Sequence, residues 1–190
     1  MGKKKKKPPL PVLPAGTSVI DTHCHLDMIH SGEDTGTVVS RAVDKGVSRI
    51  ITVGIDLDSS QKAIAIAENF ATVYATVGVH PHNVQGLENS TYSKLETLCD
   101  NSRVVAYGEI GLDYVKLYAP KKVQLEHYAR QVALAKKTGL PLVIHDREAH
   151  KDILDVLEKE TPIEAAGVMH CFSGDWQFAK KVLDLGFFIS

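Results

Sequence analysis

Two histidines separated by one residue, His23 and His25, stand in the stretch DTHCHLD, directly after the apolar pair Val19-Ile20. If the stretch is a β-strand, both imidazoles project from one face while Cys24 projects from the other. Two imidazoles on one face can chelate one divalent cation. The alternative for an isolated pair of this kind is two core histidines that hydrogen-bond to the backbone.

Three more residues of metal-ligand type stand at the ends of other apolar runs: Glu109 in YGEIGLD, His145 in VIHD and His170 in MHCF. A buried polar group destabilises a fold unless it is paired. Packing therefore does not explain four apolar runs that end in histidine or glutamate, and the pattern favours a metal site. Zinc, manganese or iron suits such an imidazole-rich set better than magnesium, which prefers oxygen ligands.

A ligand set of this size can hold two ions. Glu109 is the natural bridge, because a carboxylate has two oxygens to share whereas a neutral imidazole has one available nitrogen. Two divalent cations a few Å apart stabilise an in-line displacement at phosphorus and lower the pKa of a bound water. We therefore expect two divalent metal ions as cofactors, with zinc, manganese and magnesium as candidates.

Short apolar runs alternate with longer amphipathic runs from Val19 onward. The apolar runs predict seven strands, in VIDTHCH, RIITVGI, TVYATVGVH, RVVAYGEI, PLVIHD, GVMHCF and FFIS. The amphipathic runs predict six helices, over about residues 35–45, 59–69, 92–99, 120–137, 149–160 and 175–185. Gly46, Gly139 and Gly186 follow three of these helices, where a left-handed C-cap residue belongs.

This alternation predicts an α/β fold with parallel strands, either an open doubly wound sheet or a closed (β/α)8 TIM barrel. Barrel closure brings the carboxyl ends of the strands around one ring, whereas an open sheet spreads them along a line, so converging ligands favour the barrel. Only seven strands and six helices can be counted in the sequence. We therefore expect a barrel that is incomplete at its C-terminus, with strands one and seven as unpaired edges, and a chain that is a fragment of a longer protein.

The five motifs DTHCHLD, VGVHPH, GEIGLDY, VIHDREA and HCFSG, in this order and at these intervals, resemble the TatD-related metal-dependent deoxyribonucleases of the amidohydrolase-like barrel superfamily. The resemblance extends from about residue 19 to residue 190. It implies that one ion is held by His23, His25 and Glu109, and the other by Glu109, His145 and His170.

The resemblance also implies which residues act on the substrate. Glu109 and His80 are the expected catalytic residues, with His80 facing the substrate phosphate. Arg147 is a second expected phosphate contact, because its planar guanidinium matches phosphate oxygens, although it could equally pair with Glu148 or Asp146 in a loop. The family carries a further metal-binding aspartate after strand eight, and this sequence stops inside strand seven.

Other polar residues are expected to lie outside the set of ligands. His82, His127 and His150 are predicted to be loop or helix histidines. Asp21 and Asp113 are predicted to orient ligand imidazoles rather than to bind metal directly.

Three cysteines, Cys24, Cys99 and Cys171, form no CxxC pair, which argues against a disulfide framework and indicates a reducing, cytoplasmic location. Cys171, directly after His170, is expected to point into the core. No apolar run approaches the roughly 18 residues that a membrane span requires, so no membrane association is expected.

The first 16 residues differ from the rest in composition, since Lys3–Lys7 are five consecutive lysines followed by Pro-rich sequence. We expect residues 1–16 to form a disordered Lys/Pro-rich tail, with a nuclear address or a nucleic-acid arm as alternatives, and residues 17–190 to form the barrel domain. Without these lysines the chain carries a net charge of about −6. Such a body does not attract phosphates by bulk electrostatics, so phosphate chemistry requires a local positive centre.

The sequence and the resemblance together predict a monomeric metal-dependent hydrolase, a TatD-type deoxyribonuclease and 3'-5' exonuclease, with DNA or RNA as its substrate. An amidohydrolase acting on a C–N or lactone bond is a weaker alternative, because Glu109 stands where many such enzymes use a carboxylated lysine. A catalytically inactive metal-binding fragment is the third hypothesis.

Overall fold

The computed structural model of the chain describes residues 12–29 and 32–190. Seven β-strands alternate with six α-helices. The strands are β1 (Val19–Cys24), β2 (Val47–Val53), β3 (Val73–Val77), β4 (Val104–Asp113), β5 (Leu142–Arg147), β6 (Gly167–His170) and β7 (Phe188–Ile189). The helices are α1 (Thr35–Asp44), α2 (Leu57–Asn69), α3 (Asn89–Leu98), α4 (Lys121–Thr138), α5 (His150–Glu160) and α6 (Trp176–Asp184).

The seven strands form one sheet in the sequential order β1 to β7, and every neighbouring pair is parallel. A helix follows each of the first six strands. Sequential parallel strands joined by helices are the arrangement of a (β/α) barrel, which confirms the predicted fold class. In the described residues β1 pairs only with β2 and β7 only with β6, so the sheet is open, as the strand count predicted.

The two edge strands expose apolar side chains, because neither has a second neighbour to cover it. Val19 and Ile20 on β1 are 43% and 50% exposed, and Phe188 on β7 is 73% exposed. The central strands differ, since most residues of β3 and β4 are buried. The site described below therefore draws residues both from the buried central strands and from the less protected edge strand β1.

Helix α4 shows how the core is formed. Tyr128, Val132 and Ala135 are spaced by four and three residues, lie on one face of the helix and are fully buried. That face packs against β4. Burial of one large apolar side chain of this kind contributes roughly 1.5–3 kcal/mol to the free energy of unfolding.

The ends of the helices follow from local chemistry. Asp34, Asp56 and Asp175 cap α1, α2 and α6 by accepting hydrogen bonds from backbone N–H groups in the first turn. The cap at Asp56 explains why α2 begins at Leu57, two residues before the predicted start. The three glycines predicted to end helices all have positive φ, at 92° for Gly46, 71° for Gly139 and 87° for Gly186.

Residues 1–11, which include the run of lysines, lie outside the described residues, so the predicted disorder of the tail stays a prediction. Further along, the Thr17 hydroxyl donates a hydrogen bond of 2.6 Å to the Pro14 carbonyl. Leu13 lies beside the turn after α1, where a Cβ on Gly46 would be 2.6 Å from Leu13 Cδ1. None of the helices in the described part of the chain has the length and apolarity that a membrane span requires.

Candidate metal centre

A cleft of about 700 Å³ opens at the carboxyl ends of the strands. It is the place where a parallel barrel presents its strand ends and the loops that follow them. All seven residues predicted for the site line this cleft: His23, His25, His80, Glu109, His145, Arg147 and His170.

Glu109 lies at the centre of the site and is 4% exposed. Its Oε2 is 3.2 Å from His23 Nε2, and its Oε1 is 2.9 Å from His145 Nδ1 and 3.8 Å from His80 Nε2. Burial alone would raise the pKa of Glu109, but the hydrogen bonds from His145 and His23 outweigh burial and hold the pKa well below its usual value. Glu109 is therefore a carboxylate with both oxygens directed at imidazoles.

Two glycines explain how β4 brings Glu109 so close to β5. A Cβ on Gly108 would lie 2.5 Å from the Val143 carbonyl oxygen, and a Cβ on Gly111 would lie 1.9 Å from the His145 carbonyl oxygen. Both glycines also have positive φ, at 155° and 143°. Only glycine permits this approach, so the spacing in YGEIGLD places the carboxylate against His145.

The first of two ligand groups consists of His23, Glu109 and His170, each of which offers one ligand atom within 4.8 Å of the others. The rings of His23 and His170 are stacked, with centroids 3.5 Å apart. His23 Nδ1 is buried and has no hydrogen-bond partner among the described residues. Burial, and then the nearness of His23, lowers the pKa of His170, which keeps its ring neutral and its lone pair available.

The second ligand group consists of His80, Glu109 and His145, with ligand atoms again within 4.8 Å of one another. Burial lowers the pKa of His80 to about 3, so this imidazole is neutral at pH 7. Burial would also lower the pKa of His145, but its hydrogen bond to Glu109 outweighs burial and raises the pKa. A donor set of imidazoles around one carboxylate fits a transition-metal or zinc site, and Glu109 belongs to both groups.

This grouping differs from the predicted one, which placed His25 beside His23 and placed His170 with His145. His25 belongs to neither group of three. Its Nδ1 lies 3.0 Å from the Val53 carbonyl, which can only accept, so Nδ1 carries the proton and Nε2 is left as the ligand atom. The assignment of individual ligands to individual ions stays a prediction.

His82 was predicted to be a loop histidine outside the site, and it does follow β3 in a loop, but it also lines the cleft. Its Nε2 lies 2.7 Å from Oδ2 of Asp113, which is fully buried. Burial would raise the pKa of Asp113, but hydrogen bonds from the Lys116 backbone and His82 lower it to about 2. The spacing of two residues in VGVHPH is the same signal as in DTHCH, and it could have identified His82.

Asp113 thus contacts an imidazole as predicted, although the imidazole is that of His82; the His145 Nε2 lies 3.4 Å from the same carboxylate oxygen. Asp21 Oδ1 accepts a hydrogen bond of 3.1 Å from the backbone N–H of His23 rather than from an imidazole. The predicted core position of Cys171 is wrong: Cys171 is exposed and lines the cleft. Its φ of 48° breaks the alternation of strand β6, which the prediction had extended by two residues, to Phe172.

Arg147 lies on the wall of the cleft, with Nη1 4.0 Å from Asp113 Oδ2. Of its alternative partners, Asp146 instead contacts His150 Nδ1 at 2.6 Å. The long distance to Asp113 leaves the guanidinium N–H groups of Arg147 able to bind an anion in the cleft.

Comparison with known proteins gives a consistent result. A family model described as "TatD related DNase" matches residues 20–190. The metal-dependent hydrolase YabD of Bacillus subtilis (strain 168) is 34% identical over 172 residues, which cover 90% of this chain and 68% of YabD. The 3'-5' ssDNA/RNA exonuclease TatD of Enterobacter lignolyticus is 31% identical and is matched over 66% of its length.

Among solved structures, the TatD homologue YJJV from Escherichia coli K12 superposes with a TM-score of 0.84 and 32% sequence identity. The match covers 90% of this chain and 66% of YJJV. The chain therefore spans about two thirds of the length of each of these three relatives.

Proposed function

Because the chain belongs to the TatD-related DNase family of metal-dependent hydrolases, we propose that it hydrolyses phosphodiester bonds of a DNA strand, with two divalent metal ions as cofactors. The observation that carries the proposal is the position of Glu109, whose two carboxylate oxygens face His23 on one side and His145 on the other. No lysine lines the cleft in the described part of the chain. This disfavours the alternative of a site bridged by a carboxylated lysine.

The residues present fit divalent cations. The first ion would be held by His23, His170 and Glu109, with Nε2 of His25 as a further donor; the second would be held by Glu109 and His145. Both the buried, unpartnered Nδ1 of His23 and the neutral ring of His170 support this assignment. Zinc and manganese match the imidazole-rich donor set better than magnesium does.

Bound divalent cations would supply positive charge for phosphate oxygens and lower the pKa of water at the site. The chain's own groups then have separate tasks. His80 lies farther from Glu109 than His145 does, at 3.8 Å against 2.9 Å, and we propose that its neutral imidazole donates a hydrogen bond to the substrate phosphate. Arg147 would bind a second phosphate oxygen from the wall of the cleft.

The substrate proposal follows the chemistry of the cleft and the printed activity of a relative. A phosphodiester in the cleft would lie next to Arg147 and next to the divalent cations that the ligand groups would hold, which together would form the local positive centre that the acidic body otherwise lacks. The relative from Enterobacter lignolyticus is named a 3'-5' ssDNA/RNA exonuclease. Digestion from the 3' end, activity on RNA as well as DNA, a monomeric state and a cytoplasmic location stay predictions for this chain.

The test is hydrolysis of 5'-labelled DNA and RNA strands by protein supplied with manganese, zinc or magnesium, with products resolved by length. Glu109→Gln removes the charge that both ligand groups share, so we expect a loss of at least about 100-fold in rate, the size usual for removal of a key catalytic electrostatic group. Glu96→Gln is the matched control, since Glu96 pairs with Lys137 on the surface. Equal rates in the two variants would overturn the proposal.

A further inference from the structure

The loop that joins β4 to α4, residues 114–120, presents an unusual group of side chains at the carboxyl side of the sheet. Three of its apolar residues are exposed, Val115 by 51%, Leu117 by 54% and Tyr118 by 65%. Lys116, between them, is exposed as well. Apolar side chains that are exposed together, next to a cleft and beside a cation, indicate a binding surface more often than scattered single residues do.

This exposure does not come from a loose backbone, because the loop is held at both ends. Asp113 Oδ1 accepts hydrogen bonds from the backbone N–H groups of Val115, at 2.9 Å, and Lys116, at 2.7 Å. At the other end, the Gln124 side chain donates to the Ala119 carbonyl at 2.9 Å. These bonds hold the backbone of the loop at both ends, which reduces the backbone entropy that binding must overcome.

The ring of Tyr118 connects this loop to the catalytic cleft. Its centroid lies 4.8 Å from that of His82, at an angle of 73°, and His82 lines the cleft. Asp113, which anchors the start of the loop, also bonds His82. Tyr118 therefore stands on the rim of the cleft, and most of its ring surface remains accessible.

We propose that Tyr118 is a stacking platform for an unpaired base of the DNA strand whose backbone enters the cleft. The inference rests on the proposed function, and adds to it a residue that selects single-stranded ends. Every base has a face that can stack on an aromatic ring, and the adjacent Lys116 suits a phosphate that follows such a base. A duplex hides these faces, because its bases stack on one another.

The occupant is a nucleic-acid strand rather than a protein for two reasons. The exposed surface is continuous with the cleft through the contact of Tyr118 and His82. It also combines an accessible aromatic ring with a lysine, which complements a base and its phosphate, whereas protein interfaces are depleted in lysine.

The experiment measures binding to a short fluorescein-labelled thymidine strand with hydrolysis-resistant phosphorothioate linkages. A matched strand has abasic spacers in place of its 3'-terminal nucleosides. We expect the protein to bind the base-bearing strand roughly 5- to 150-fold more tightly, the range that stacking of one base produces. Tyr118→Ala should abolish this preference and Tyr118→Phe should retain it. Tyr74→Ala, at the amino end of β3, is the control and should also retain it.

Two results would overturn the inference: equal binding of the two strands by the unmodified protein, or an unchanged preference in Tyr118→Ala, including the case in which that variant binds both strands more weakly by the same factor. The binding test of Tyr118 and the hydrolysis test of the proposed function can fail independently of each other. If hydrolysis depends on Glu109 but the binding preference does not depend on Tyr118, only the stacking platform is overturned. A preference that depends on Tyr118, without hydrolysis, supports the platform and overturns the enzyme activity.

Discussion

The rings of His23 and His170 lie face to face, 8° from parallel, although their strands β1 and β6 are not neighbours in the sheet. A flat sheet of seven strands would separate them by five strand spacings of nearly 5 Å each, whereas the ring centroids are 3.5 Å apart. The sheet therefore curves enough to bring its first and sixth strands together. The ligand group of His23, Glu109 and His170 depends on that curvature.

His23→Ala should lower metal content in protein purified without chelator. The variant removes one donor of the first ligand group and leaves Glu109 without one of its imidazole partners. We expect metal affinity to fall by at least the roughly 10- to 100-fold that loss of an outer partner of a ligand causes. Elemental analysis of the protein after titration with added zinc measures this fall in metal affinity. His127→Ala is the control, because His127 bonds Tyr92 away from the cleft; equal metal content in the two variants would remove His23 from the site.

Gly111→Ala should destabilise the fold by more than about 2 kcal/mol, because the new methyl group would collide with the backbone of β5. Gly86→Ala is the control, because it introduces the strain of a positive φ without a steric collision. Gly86 also has positive φ, at 75°, but a Cβ there would meet nothing within 4 Å. Urea unfolding of both variants checks the prediction, and a similar small loss in the two would show that β4 and β5 tolerate a wider spacing.

Alkylation by iodoacetamide at pH 8 should modify Cys171 first. Burial raises the pKa of Cys24 to about 12 and that of Cys99 to about 11, so both remain protonated thiols at this pH, and the thiolate is the reactive form. Cys171 is exposed in the cleft. Mass spectrometry should find one rapidly labelled cysteine, and Cys171→Ser should abolish the rapid phase. Rapid labelling of Cys99 in that variant would contradict its burial.

Removal of residues 1–7 should weaken binding of single-stranded DNA at low salt and leave metal content unchanged. Five lysines that each neutralise one phosphate would add about 3.5 to the slope of log affinity against log salt. Titrations at several salt concentrations measure that slope for the full and shortened chains. Identical slopes would show that the lysines do not contact the strand.

Much of the fold and of the candidate site could be predicted because both depend on local pattern. The alternation of apolar runs predicted the strands, and the capping glycines Gly46, Gly139 and Gly186 marked helix ends. The seven predicted site residues share one cleft because parallel strands place all their carboxyl ends on one side.

The remainder depends on backbone geometry that pattern does not encode. The alternation rule failed at Cys171, where the chain leaves the strand with a left-handed residue. The spacing in VGVHPH marks His82, but it does not specify the partner of His82, because the contact with Asp113 joins a loop to another strand. The stacking of His23 on His170 follows from the curvature of the whole sheet, which no single motif specifies.

Strand β1 carries the candidate ligand His23, and His25 directly follows its last residue. The strand has one hydrogen-bonded neighbour in the described residues. A strand held on one side only can detach in local fluctuations that leave the central strands intact. Each detachment of β1 would carry His23 away from Glu109. Release of the metal and detachment of β1 would therefore occur together. Occupancy by metal should therefore slow amide hydrogen exchange in residues 19–24 far more than in β4, because a cation that binds only the closed form stabilises that form.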